Sequence, residues 1–137
     1  MTLGAGYSGT PLPQKLGIKE GHRVLLMGGA VPAGFLDDID VPGATVVRRA
    51  AKQPANVVVL FVLSVAELRE RLPAAQAAIT VDGGVWVAWP KKASGVPTDM
   101  TEDVIRQVMP ASMVDNKVCA IDEVWSGLRL VVRLDHR

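Results

Sequence analysis

Apolar residues along this chain fall into short blocks of two kinds. Some are unbroken runs of five to seven residues, and others recur at helical spacing. HRVLLMGGA predicts a first strand at about 23–28 that ends in Gly28-Gly29. TVVRR predicts a second strand at 45–49, and NVVVLFV a third at 56–62. An unbroken apolar run such as the third reads as a strand covered on both faces, as in a parallel sheet. After a turn at VDGG (81–84), VWVAWP predicts a further strand at 85–90, with Trp86 and Trp89 on opposite faces because side chains alternate. Both tryptophans are expected in the core.

Between these runs the period changes. In SVAELRERLPAAQAAI, Val65, Leu68, Leu72, Ala75 and Ile79 share one helical face, and Ser64 with Glu67 spells a capping box. Pro73 inside that pattern predicts a kink or two helices. Met100, Val104, Ile105, Val108 and Met109 predict a helix at about 100–109, with Asp99 and Glu102 as its capping box and Pro110 as its end. Two shorter pieces are helical: about 11–16, with Thr10 as N-cap, Pro11 first and Gly17 as stop, and one or two turns within 32–39. Asp115-Asn116 reads as a turn. KVCAIDEVWSGLRLVVRL then predicts strands at about 117–122 and 127–134, joined as an antiparallel hairpin.

Strands alternating with helices and closed by a hairpin define the fold class as α/β. The expectation is one Rossmann-like domain over residues 1–137, with residues 1–22 as an N-terminal arm and short helix. It would be a three-layer sandwich around a mostly parallel sheet of about six strands with a C-terminal antiparallel hairpin. Only about six residues separate the second and third strands. Either the second strand runs antiparallel, or an extended connection crosses the sheet face.

Composition narrows the function classes. The 137 residues are 49% hydrophobic and 21% charged, with a net charge of +1. This is a globular balance, and no bulk charge favours nucleic acid or an anionic membrane. The apolar runs are too short to span a bilayer, and MTLGAGYSGTPLP does not resemble a signal peptide. With Cys119 as the sole cysteine, no internal disulfide forms, so a cytoplasmic location is expected and the thiol reads as an inert core group.

In an open α/β sheet, ligands gather beyond the carboxyl ends of the strands. That rim should hold Gly28 and Gly29, then Ser64, and then the PKKASGVPTD loop with Lys91, Lys92, Ser94, Thr98 and Asp99. The proposed rim requires the chain after Pro90 to leave the sheet at the same end as the glycine pair. Asp122, Glu123 and Ser126 join it if the hairpin linker folds over. His22 belongs to the opposite end and His136 to the tail, so no Ser-His-acid triad is expected, and catalytic residues are not assigned. The scattered His, Cys and Asp residues give no metal-ligand spacing. After the first strand Gly28-Gly29 with Gly34 does not spell G-x-G-x-x-G, and no P-loop sequence occurs.

GYSGTPLPQKLGI, VWVAWPKKASGVPTDMTEDVIR and MVDNKVCAIDEVWSGLRLVVRL resemble the hallmark blocks of an uncharacterised bacterial family, a domain of unknown function. That resemblance covers essentially the whole chain and implies no activity. KEGHRVLLMGGA and ELRERLPAAQAAITVDGGVWVAWP resemble, at the level of topology, class I S-adenosylmethionine (SAM)-dependent methyltransferases, whose first strand leads into a glycine-rich cofactor loop. Here the G-x-G-x-G loop is absent, and Arg48 and Arg49 stand where that fold places an acidic residue at the end of strand 2. What carries over is Gly28 and Gly29 as cofactor contacts, with SAM as the implied cofactor.

Three functions follow. The first is a non-catalytic module that binds a small anionic ligand or a protein partner through Lys91, Lys92, Ser94, Thr98 and Asp99. The second is a reduced methyltransferase-like enzyme, in which Gly28, Gly29 and Ser64 approach the cofactor and Asp99 serves as base. The third is a scaffold that forms a homodimer through the edge of the terminal hairpin. The lack of a catalytic constellation favours the first.

Overall fold

The computed structural model describes residues 10–137. Leu12–Leu16 form α1, Arg23–Met27 β1, Phe35–Asp38 α2, Thr45–Val47 β2 and Ala55–Phe61 β3. Val65–Ala78 form α3, Ile79–Pro90 β4, Glu102–Val108 α4, Met113–Ala120 β5 and Trp125–Val132 β6. The GYSG part of the N-terminal arm lies outside the described residues.

The six strands make one sheet in the order β2-β1-β3-β4-β6-β5. The first four are parallel, and β6 pairs antiparallel with both β4 and β5. The α/β class, the mostly parallel sheet and the closing hairpin are as the sequence predicts. The second strand is parallel to β1, so residues 48–54 form the extended connection that crosses β1 to reach β3. Gln53 within it accepts a hydrogen bond from Arg23 Nη2 at 2.8 Å.

Alternation along the strands divides the core between two layers. Leu25, Val58, Leu60, Val85 and Val87 face Leu68, Leu72 and Ala75 of α3 and Ile105 of α4. Val24, Leu26, Val59, Phe61 and Trp86 face Leu12 and Leu16 of α1 and Phe35 of α2. Trp86 and Trp89 belong to opposite layers, and both are buried. The Trp86 indole Nε1 donates to Leu16 O at 3.0 Å, which satisfies a buried donor and fixes α1 on its face.

Several local expectations change. α1 starts one residue late: Pro11 is its N-cap and no side chain caps it, so Thr10 has no capping role. α3 runs through Pro73 as one helix, its tertiary packing through Leu68, Leu72 and Ala75 outweighing the missing backbone donor. VDGG is part of β4 rather than a turn. The pairing jumps from Ala55↔Ile79 to Val57↔Gly84, so residues 80–83 bulge opposite Asn56. Asp115-Asn116 likewise lies inside β5 at a register shift between Asp115 and Lys117. Cys119 is in a strand as expected, but β5 is the sheet edge and the thiol is only half-buried.

Candidate functional site

Because β1, β3 and β4 are parallel and in register from Met27↔Leu60 to Phe61↔Ala88, the glycine pair and Pro90 leave the sheet at the same end. The hairpin linker arrives there too, since Trp125 at the start of β6 pairs with Pro90. The strand order reverses between β1 and β3: from β1 the chain steps outward to β2, then returns across to β3. That is the switch point at which such sheets bind ligands.

Gly28 closes β1 with φ of 97°, and a Cβ there would run into the carbonyl oxygen of Phe61. The left-handed backbone and the close approach of β1 to β3 both demand glycine. Gly29 differs, since a Cβ there would meet nothing within 4 Å. Beside the pair lies a cleft of about 340 Å³, walled by Gly28, Gly29 and Met27 of the β1 edge, Arg48 of the crossing connection, and Arg71 and Ala74 of α3. Arg71 Nε is 3.2 Å from Glu67 Oε2, while Arg48 is exposed and makes no ion pair among the described residues. On the other face of the sheet this end is closed by aromatic packing. Phe35 and Trp125 meet Phe61 edge-to-face at 4.9 and 5.1 Å.

The remaining rim residues are engaged in building the rim. Ser64 Oγ accepts from Glu67 N at 3.1 Å, and Glu67 Oε1 accepts from Leu63 N at 3.0 Å, so the predicted capping box closes one residue further back than its standard form. Asp99 caps α3 rather than α4: its Oδ1 accepts from Val65 N at 2.9 Å, and Thr101 is the N-cap of α4, accepting from Val104 N at 3.1 Å. Thr98 Oγ1 donates to Leu63 O at 2.7 Å and accepts from Met100 N at 3.0 Å. Lys91 Nζ donates to Asp122 O at 2.9 Å, and Lys91 N to Val124 O at 2.7 Å. Ser94 Oγ donates to Lys91 O at 2.6 Å. Lys92 is exposed. Asp122 Oδ1 accepts from the amides of Val124 and Trp125, shaping the hairpin linker.

The structure therefore brings Gly28, Gly29, Ser64, Thr98, Asp99 and Lys91 to one end of the sheet. It places Gly28 and Gly29 at the cleft and the loop residues in hydrogen bonds that join β3, β4 and the hairpin. Arg71 is the cleft residue that helical periodicity missed, because it reads as one member of a charged, solvated face. The crossing connection brings Arg48 up to it. Among the described residues no group of three or more His, Cys, Asp or Glu side chains could hold a metal ion, and no helix is long and apolar enough to cross a membrane.

No family model matches the chain, and no curated protein matches it either. Solved structures do. Fibrillarin from Aeropyrum pernix with natively bound S-adenosyl-L-methionine superposes with a TM-score of 0.56 at 13% identity, covering 92% of this chain and 70% of that one. The glycopeptide N-methyltransferase MtfA in complex with SAM gives 0.51 at 10% identity, covering 82% and 87%. A ribosomal protein methylase from Lactobacillus delbrueckii subsp. bulgaricus gives 0.50 at 9% identity, covering 89% and 75%. The fold is thus the Rossmann-like fold of SAM-dependent methyltransferases. The likeness to the uncharacterised bacterial family rests on its sequence blocks alone.

Proposed function

We propose that this domain is a reduced methyltransferase-like module that binds SAM, or its demethylated product, in the cleft beside Gly28 and Gly29. The observation that carries this is the coincidence of three features: the β1/β3 reversal, a glycine pair leaving β1 there, and an adjacent cleft large enough for a small ligand. The residues fit one end of such a ligand. Arg48 offers a cation to a carboxylate, and Gly29 leaves the main chain open to close approach. Among the described residues no carboxylate lines the cleft to receive ribose hydroxyls, which is why the module is called reduced.

Bound SAM would supply an electrophilic methyl group. Of this chain's own groups, Gly28 holds β1 against β3, Ser64 and Asp99 fix the start of α3, and Asp99 is an exposed rim carboxylate that would serve as base. This reading is preferred to an anion seated on the loop after β4. There Lys91, Ser94, Thr98 and Asp99 already hold main-chain groups.

The two glycines separate binding from folding. Gly28→Ala should cost about 2 kcal/mol or more, because the left-handed backbone and the Phe61 carbonyl both oppose a side chain. Gly29→Leu should stay within about 0.5 kcal/mol of the parent in chemical denaturation. SAM and S-adenosylhomocysteine are expected to raise the melting temperature of the parent and of Lys91→Ala/Lys92→Ala, and to leave Gly29→Leu unshifted. No shift with either compound in the parent would end the proposal. A phosphate-induced shift lost in the double lysine variant would favour the anion-binding loop instead.

A further inference from the structure

A second cleft, of about 420 Å³, opens at the opposite end of the sheet, among α1, the start of β4 and the outer hairpin strands. Its polar walls include Lys19, His22, Thr80, Asp82, Lys117 and Arg129. Lys117 and Arg129 are paired directly across β5 and β6, so two cations stand side by side on one face. Like charges in that arrangement repel and destabilise the pair. Among the described residues Arg129 Nη1 donates to Asn116 Oδ1, at 3.5 Å. Burial of the guanidinium and the nearby Arg137 both push its pKa down, as expected of a cation short of counter-charge.

Among the described residues neither Lys19, Lys117 nor Arg129 makes an ion pair, and residues 1–9 contain no Asp or Glu. Asp82 is the single carboxylate on the cleft wall among the described residues. Room has nevertheless been left for the arginine. A Cβ on Gly84 would sit 2.6 Å from Arg129 Nε, so the glycine is what lets the guanidinium lie against β4. Thr80 Oγ1, also on the wall, is buried without a hydrogen-bond partner among the described residues, which costs stability unless something fills the role. His22 Nδ1 accepts from Lys19 N at 3.2 Å, so the neutral ring carries its proton on Nε2 as a donor.

We infer that this second cleft binds a phosphate group. The Arg129 fork would take two oxygens, Lys117 and Lys19 would neutralise the remaining charge, and the Thr80 hydroxyl would add a hydrogen bond. The site is separate from the β1/β3 cleft and does not depend on it. Its volume admits a small phosphate ester as well as the free ion.

The test is calorimetric titration and thermal shift of the full chain with inorganic phosphate and with glycerol 3-phosphate, against chloride at matched ionic strength. Arg129→Met, which keeps an apolar stem, and Lys117→Gln are the variants. Each should melt at or above the parent temperature without ligand, because a repulsion is relieved, and should bind phosphate about tenfold more weakly or worse. Gly29→Leu should bind phosphate as the parent does. Tighter binding of glycerol 3-phosphate than of phosphate identifies an ester as occupant, and equal binding identifies the free ion. Phosphate acting no differently from chloride, or binding unchanged in both variants, overturns the inference.

Discussion

Cys119 shows how burial sets the chemistry of a side chain. Desolvation on β5 pushes its thiol up to about 11, against the weaker opposing pull of Lys15 and Lys117. The neutral thiol is therefore the form the fold prefers. A group whose pKa is raised on folding contributes stability that is complete below its unfolded value, near 9, and is lost as the pH climbs through its folded value. Parent protein should lose stability relative to Cys119→Ala between pH 9 and 11 in urea unfolding, and should react slowly with thiol reagents at pH 7–8. A constant difference across that range would show that the thiol titrates alike in both states. An inert thiol is what a cysteine inside an apolar strand suggests, and the glycine pair is visible as punctuation after a run of apolar residues. Arg129 beside Lys117 was hidden. Their pairing depends on the bulge between Asp115 and Lys117, and a one-residue register shift has no signature in apolar alternation.

Helix starts carry the next lesson, because the residue that caps a helix need not belong to it. Ser64 was legible as a cap, since a serine three residues before a glutamate at the edge of an apolar stripe satisfies the first turn locally. The same rule applied to Asp99 and Glu102 picked the wrong residue. Thr101 sits next to the helix and caps α4, which frees Asp99 to reach back across the rim to Val65 N. Asp99→Ala and Thr101→Ala should each cost about 1 kcal/mol. Hydrogen exchange should separate them. The Val65 amide should exchange faster in Asp99→Ala and the Val104 amide faster in Thr101→Ala, with each variant leaving the other amide protected. Acceleration of Val104 by Asp99→Ala would return Asp99 to the role its sequence position suggested. Pro73 is the complementary case. Periodicity predicted the stripe Leu68, Leu72 and Ala75 correctly, and packing of that stripe held one helix together across a residue that local rules would use to end it.

The topology as a whole was legible wherever apolar runs and helical stripes alternate, and ambiguous where neither marks the connection. Residues 48–54 carry no period, so only the pairing of β2 with β1 shows that the chain crosses the sheet. This crossing also brings Arg48 to α3 and so forms one wall of the candidate cleft. The sheet's two edges decide whether the domain can pair with itself. β2 is only three residues long. β5 is eight residues long, but its ladder is interrupted beside Asn116, and Lys117 stands on it with the half-exposed Val118. A short strand at one edge, and a bulge with a lysine at the other, are devices that discourage edge-to-edge pairing. The expectation is a mass near 14.6 kDa at all concentrations in sedimentation equilibrium. A mass that doubles with concentration, and returns to the single-chain value when Val118 is replaced by lysine, would instead make the hairpin edge a dimer interface. In that case Lys117, which stands on this edge strand and on the wall of the second cleft, would lie beside a partner subunit, so the phosphate titrations and the sedimentation run belong on the same samples.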